Sequence, residues 1–98
     1  MQTLLTLICN PSLERTVTDW LLEQEDLVGF TSMQANGHGI SPDSMSLIEQ
    51  VHGCRKQTMF QIQLSSDRAK IAISDLKDDL QGAKIHYWLV PVIDAGKL

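Results

Sequence analysis

One long stretch, Gly37 to Lys56 ("GHGISPDSMSLIEQVHGCRK"), constrains the rest of this chain most. Connections in compact domains are usually short, and a structureless one of this length is either functional or disordered. It interrupts an otherwise compact alternation of strand and helix signals. The segment holds His38 and His52, two of the three histidines, together with Cys54, Met45 and the pair Gly37 and Gly39.

The residues before it give a strand, a helix and a strand. Thr3 to Cys9 is an apolar run closed by Asn10-Pro11, which predicts a strand. Leu5 and Leu7 fall on one side of it and Leu4 and Ile8 on the other, so it is expected to be central and covered on both faces. Asn10 followed by Pro11 is a helix start. Leu13, Val17, Trp20 and Leu21 then recur at helical spacing, and the helix is expected to end near Gln24 to Asp26. Gly29 to Ala35 reads as a weaker strand.

The residues after it repeat the order. Gln57 to Leu64 alternates cleanly, with Phe60, Ile62 and Leu64 on one face and Gln61 and Gln63 on the other. Ser66 is the expected cap of a second helix, opened by Asp67, with Ala69, Ile73, Leu76 and Leu80 as its buried stripe and Gly82 as terminator. Ala83 to Val92 is the last strand, and Pro91, which cannot donate to a ladder, predicts that it lies at an edge or pairs on one side there. The order βαββαβ predicts an α+β, ferredoxin-like domain. Two helices would lie on one face of a four-stranded antiparallel sheet, with residues 1–98 forming a single domain. The other face would expose apolar first-strand residues and parts of "HYWLV". An exposed apolar face marks an interaction surface, which predicts a homo-oligomer.

Composition excludes several classes. Apolar residues make up 43% of the chain, too many for a disordered polymer. At 98 residues the chain buries only ~60–65% of its unfolded surface and gains from association. No apolar run reaches the ~18 residues of a membrane span, and the N-terminus has no basic region of a signal peptide. Direct membrane insertion is therefore not expected. Two cysteines make no disulfide framework, so both read as reduced thiols of a cytoplasmic protein. The net charge is −4, and its acidic excess lies in residues 1–30, with Glu14, Asp19, Glu23, Glu25 and Asp26 against Arg15. No basic face is available for nucleic acid.

No catalytic motif occurs. "HGC" is too generic for a nucleophile and its base, and Asp78-Asp79, as helical neighbours, point apart and read as solvated. The chain is not expected to be an enzyme. A metal is the sharper alternative, because imidazole and thiolate suit zinc and copper. His38, His52 and Cys54 sit in one segment, and Met33 and Met45 could add soft ligands. Yet no CxxC occurs. Gly37-His38-Gly39 lacks the lysine and the context of a phosphate loop. Its reading is conformational, as glycines that permit positive φ where the chain leaves a strand.

The whole pattern resembles the nitrogen-regulatory PII superfamily, and more narrowly an uncharacterised proteobacterial branch of PII-like proteins. It is more distantly similar to the CutA-type cation-tolerance proteins. The resemblance rests on "ANGHG" before an insertion of T-loop length, on the return "EQVHGCRKQTMFQIQL", and on "GAKIHYWLVPV" at the last strand. It implies a trimer with inward-facing sheets. It also implies a T-loop over residues 37–56 that reaches a protein partner, such as a transporter, and a ligand site near the loop base. Gly37, Gly39 and Lys84 carry over as ligand-binding residues. The departures argue against ordinary ATP or ADP sensing. Gln81-Gly82-Ala83 replaces the glycine-rich phosphate loop, Ile40-Ser41 replaces an Arg-Gln pair, and Lys97 is the sole basic residue after Lys84. The insertion has no tyrosine to be uridylylated. No cofactor is named by these residues. The expected function is a trimeric regulator that binds a small ligand or ion. The alternative is a metal-sensing or tolerance protein using His38, His52 and Cys54.

Overall fold

A computed structural model describes residues 1–38 and 54–98 of the chain. Strand β1 spans Gln2–Cys9, helix α1 Glu14–Leu22, strand β2 Thr31–Gly37, strand β3 Arg55–Ser65, helix α2 Ser66–Asp79 and strand β4 His86–Pro91. The strands form one antiparallel sheet in the order β2-β3-β1-β4, the ferredoxin-like arrangement.

Local chemistry explains most of the boundaries. The Asn10 side chain accepts from the Ser12 amide at 2.9 Å, and Pro11 opens a single 3-10 turn, Pro11–Leu13, that leads into α1. At α2 the cap falls one residue earlier than expected. The Arg68 amide donates to the Ser65 hydroxyl at 3.2 Å. Ser66 is occupied elsewhere: its amide donates to the Met1 carbonyl at 2.9 Å, and its hydroxyl lies 2.6 Å from that of Thr3. Strand β4 begins three residues later than expected. Gly82 and Lys84 hold φ of 74° and 56°, left-handed backbone that no strand contains. Pro91 closes β4, which is an edge strand.

The helices cover one face. Leu5, Leu7 and Cys9 of β1 pack with Phe60, Ile62 and Leu64 of β3 beneath Val17, Trp20 and Leu21 of α1 and Ala69, Ile73 and Leu76 of α2. Phe30, just outside β2, adds its ring 6.1 Å from that of Phe60. Two polar ties join the helical layer across the sheet. Trp20 Nε1 donates to Asp79 Oδ2 at 2.9 Å, so Asp79 is not the free, solvated carboxylate the sequence suggests. Arg68 grips Asp26 through Nε at 2.6 Å and also donates to Gln24, fastening the α1–β2 connection onto α2.

The opposite face of the sheet is open, which corrects the expectation that β1 is covered on both sides. Cross-strand pairing puts Met33, Met59, Ile8 and His86 in one row of this face, and Gln63, Leu4 and Val90 in another. Met33 and Val90 are exposed, and Leu4, Ile8 and Met59 are half-buried. Between the rows Thr6 is buried by its neighbours, and its hydroxyl has no partner.

Candidate functional site

The residues singled out by sequence gather at one end of the sheet, but at two different edges of it. Gly37 ends β2 and pairs with Arg55, which opens β3. His38 and Cys54 are the next residues outward, so the two chain segments leave the sheet side by side. His38 is exposed and Cys54 half-buried. Gly39 and His52 lie outside the described residues, as does most of the segment 37–56. Its ends do not: Gly37, Arg55 and Lys56 belong to the β2–β3 ladder.

Gly37 does not serve the expected purpose. Among the described glycines only Gly82 has positive φ. An added Cβ at Gly37 would come within 2.5 Å of Gln57 Oε1, the end of a flexible side chain that can swing aside. Beside it a polar hollow of about 160 Å3 is lined by Gln34, Ala35, Asn36 and Lys56. Gln34 also donates to Glu14 Oε1 at 3.1 Å, tying this end of β2 to α1.

Lys84 sits at the same end of the sheet, before β4, at the other edge. Three strand spacings separate β2 from β4, roughly 14 Å. A single chain therefore does not bring Gly37 and Lys84 together on one small ligand.

Metal binding by the described residues finds no ready cluster. No group of three or more His, Cys, Asp or Glu side chains among them could hold an ion. Cys9 is a buried free thiol whose pKa is pushed up, first by burial and then by the charge of Glu14. It stays protonated and makes a poor ligand or nucleophile.

Sequence reasoning missed a groove on the helical side of β4. Helix α2 packs on β1 and β3, which leaves Tyr87 and Leu89 of β4 exposed on the covered face. A cavity of about 280 Å3 opens there, floored by Ile73, Leu76, Leu80 and Ile85. Lys77 reaches over the Tyr87 ring, with Nζ 5.7 Å from its centroid, and Lys84 stands at the rim. No local pattern links Lys77 to Tyr87, because one is on a helix and the other on the strand that returns beside it.

The family model described as "Protein of unknown function (DUF3240)" matches residues 1–98. The chain belongs to the DUF3240 family. Its fold is shared by solved structures of three kinds. A DUF3240 family protein from Shewanella baltica is 23% identical, with a TM-score of 0.79 over 99% of this chain and 96% of that one. The periplasmic divalent cation tolerance protein CutA from Archaeoglobus fulgidus is 8% identical, with a TM-score of 0.71 over 99% and 89%. A PII-like signalling protein from Thermus thermophilus is 14% identical, with a TM-score of 0.64 over 91% and 84%. At these identities the likeness establishes the fold, so this DUF3240 chain has the PII-like and CutA-type architecture. No curated protein sequence matches it. No helix among the described residues is long and apolar enough to cross a membrane.

Proposed function

We propose that this DUF3240 protein is a non-enzymatic regulator of PII type, assembled as a homotrimer and acting in the cytoplasm. The observation that carries the reading is the uncovered sheet face, where Met33, Met59, Leu4, Ile8, Trp88 and Val90 form an apolar surface on one side of a very small domain. Packing such faces together removes apolar area from water at ~25 cal/mol per Å2. It would also bring the β2 edge of one subunit toward the β4 edge of another, joining Gly37 and Lys84 across a cleft that one chain leaves open. A small ligand or ion bound at that cleft would select one arrangement of residues 37–56, with Gly39 at its exit. That arrangement would set affinity for a protein partner, a transporter being one candidate.

The test is the solution mass by light scattering. The reading expects three times the chain mass of 11.0 kDa, and a monodisperse monomer at micromolar concentration rejects it.

A second reading is favoured by one observation, the side-by-side exit of His38 and Cys54 from the β2–β3 ladder. With His52, these residues would offer two imidazoles and a thiol to copper or zinc, in a metal-sensing or tolerance protein. It predicts that metal raises the melting temperature by mass action, and that His52→Ala with Cys54→Ser removes the effect.

A further inference from the structure

The groove between α2 and β4 is built differently from the open sheet face. It is a concave cavity within one chain, about 280 Å3, at the small end of the ~300–1,000 Å3 typical of ligand pockets. Its floor is aliphatic, from Ile73, Leu76, Leu80 and Ile85. Its charged lining residues are two lysines, and no acidic residue lines it. Lys77 is held over the Tyr87 ring. Lys84 occupies left-handed backbone at φ 56°, a conformation that costs a non-glycine residue energy and that recurs at ligand clamps.

The donor arrangement selects among anions. The groove lies at the C-terminal end of α2, where the helix dipole is negative, and Asp78 and Asp79 follow Lys77 directly. Both lysines are exposed point charges, with no arginine fork and no helix N-terminus to cradle a phosphate chain. A polyanion finds no cluster of donors here to hold its several charges, whereas a single carboxylate needs only the two ammonium groups and brings a body for the apolar wall.

We propose that this groove binds a compact monocarboxylate with an apolar body, its carboxylate meeting Lys77 and Lys84 and its body lying on Ile73, Leu76, Leu80 and Ile85. The inference rests on the reading of Lys84 as a ligand-binding residue and specifies the class of ligand.

Benzoate is the probe, with benzamide as its neutral counterpart and inorganic pyrophosphate as the polyanion, titrated into the full chain and followed by amide chemical shifts. The expected result is saturable movement of resonances from residues 76–87 by benzoate, with a Kd on the order of 1 mM or below for a ligand of this size. Benzamide should bind about fivefold more weakly or worse, as should benzoate to Lys77→Gln or Lys84→Gly, since an exposed ion pair is worth up to about that factor. Glycine suits the backbone at position 84, so that variant keeps its fold. No saturable movement at several times that concentration, or equal binding of benzamide, or tighter binding of pyrophosphate, overturns the proposal. Light scattering on the same samples separates the two ideas. A trimer that ignores benzoate removes the groove alone, and a monomer that binds it removes the trimeric regulator and keeps the groove.

Discussion

Strands β1 and β4 are hydrogen-bonded neighbours with similarly apolar sequences and opposite fates. Leu5 and Leu89 sit directly across from each other on the same face, yet Leu5 is 1% exposed and Leu89 36%. Every residue of β4 is exposed, whereas β1 is buried at five of its eight positions. The difference lies in position. β1 has a strand on each side and both helices above it, while β4 has one neighbour and no helix over its outer half. An apolar strand left this bare at an edge is an aggregation hazard unless something covers it. Its open-face residues belong to the surface proposed for assembly, and Tyr87 on its helix side lines the proposed ligand groove.

Two substitutions on this pair would break or sharpen the comparison most. Leu5→Ala should cost ~3–5 kcal/mol in denaturant unfolding, the range for truncating a fully buried leucine. Leu89→Ala should cost less, roughly 1–2 kcal/mol, because about a third of that residue already meets water. Equal costs would mean that β4 is covered in solution as deeply as β1.

The next test moves to the open face. Trp88 is 45% exposed there, paired with Thr6. Trp88→Glu should leave the monomer fold in place by circular dichroism while reducing the solution mass to 11.0 kDa, since a desolvated charge at an apolar interface is costly. An unchanged assembly would show that subunits meet elsewhere.

The smallest effect concerns the clasp that holds the helical layer over β1. The Asp26 carboxyl lies below its ordinary value, chiefly because Arg68 donates to it. A carboxylate whose pKa falls on folding adds stability above its unfolded pKa of ~3.9. That contribution fades as pH drops through the lower folded value. The wild-type melting temperature should therefore fall more than that of Asp26→Asn between pH 5 and pH 3. The difference should be small, because the carboxylate is exposed and screened.

Much of the fold is legible in the sequence because its signals are local. Alternation in "QTMFQIQL" puts Phe60, Ile62 and Leu64 on the buried face, and the spacing of Val17, Trp20 and Leu21 marks the stripe of α1. Asn10-Pro11 signals the helix start, and Pro91 places β4 at an edge. The cap of α2 moves to Ser65 because Ser66 is claimed by Met1 and Thr3, partners far away in sequence. The candidate site is less legible. Sequence suggests a positive-φ role for Gly37, but its backbone is an ordinary strand end paired with Arg55. Gly37 and Lys84 suggest one shared site, yet the strand order sends them to opposite edges.

By itself, then, the sequence determined the elements, their order and which side chains of each point together, because periods of two and 3.6 residues are properties of neighbouring backbone. Only the tertiary structure decided that the helices shield one sheet face and stop short of β4, leaving Trp88 bare on one side and a lysine-rimmed groove on the other. That outcome depends on non-local strand pairing and on the width two short helices can cover. Neither is recorded in the residues of "HYWLVP" themselves.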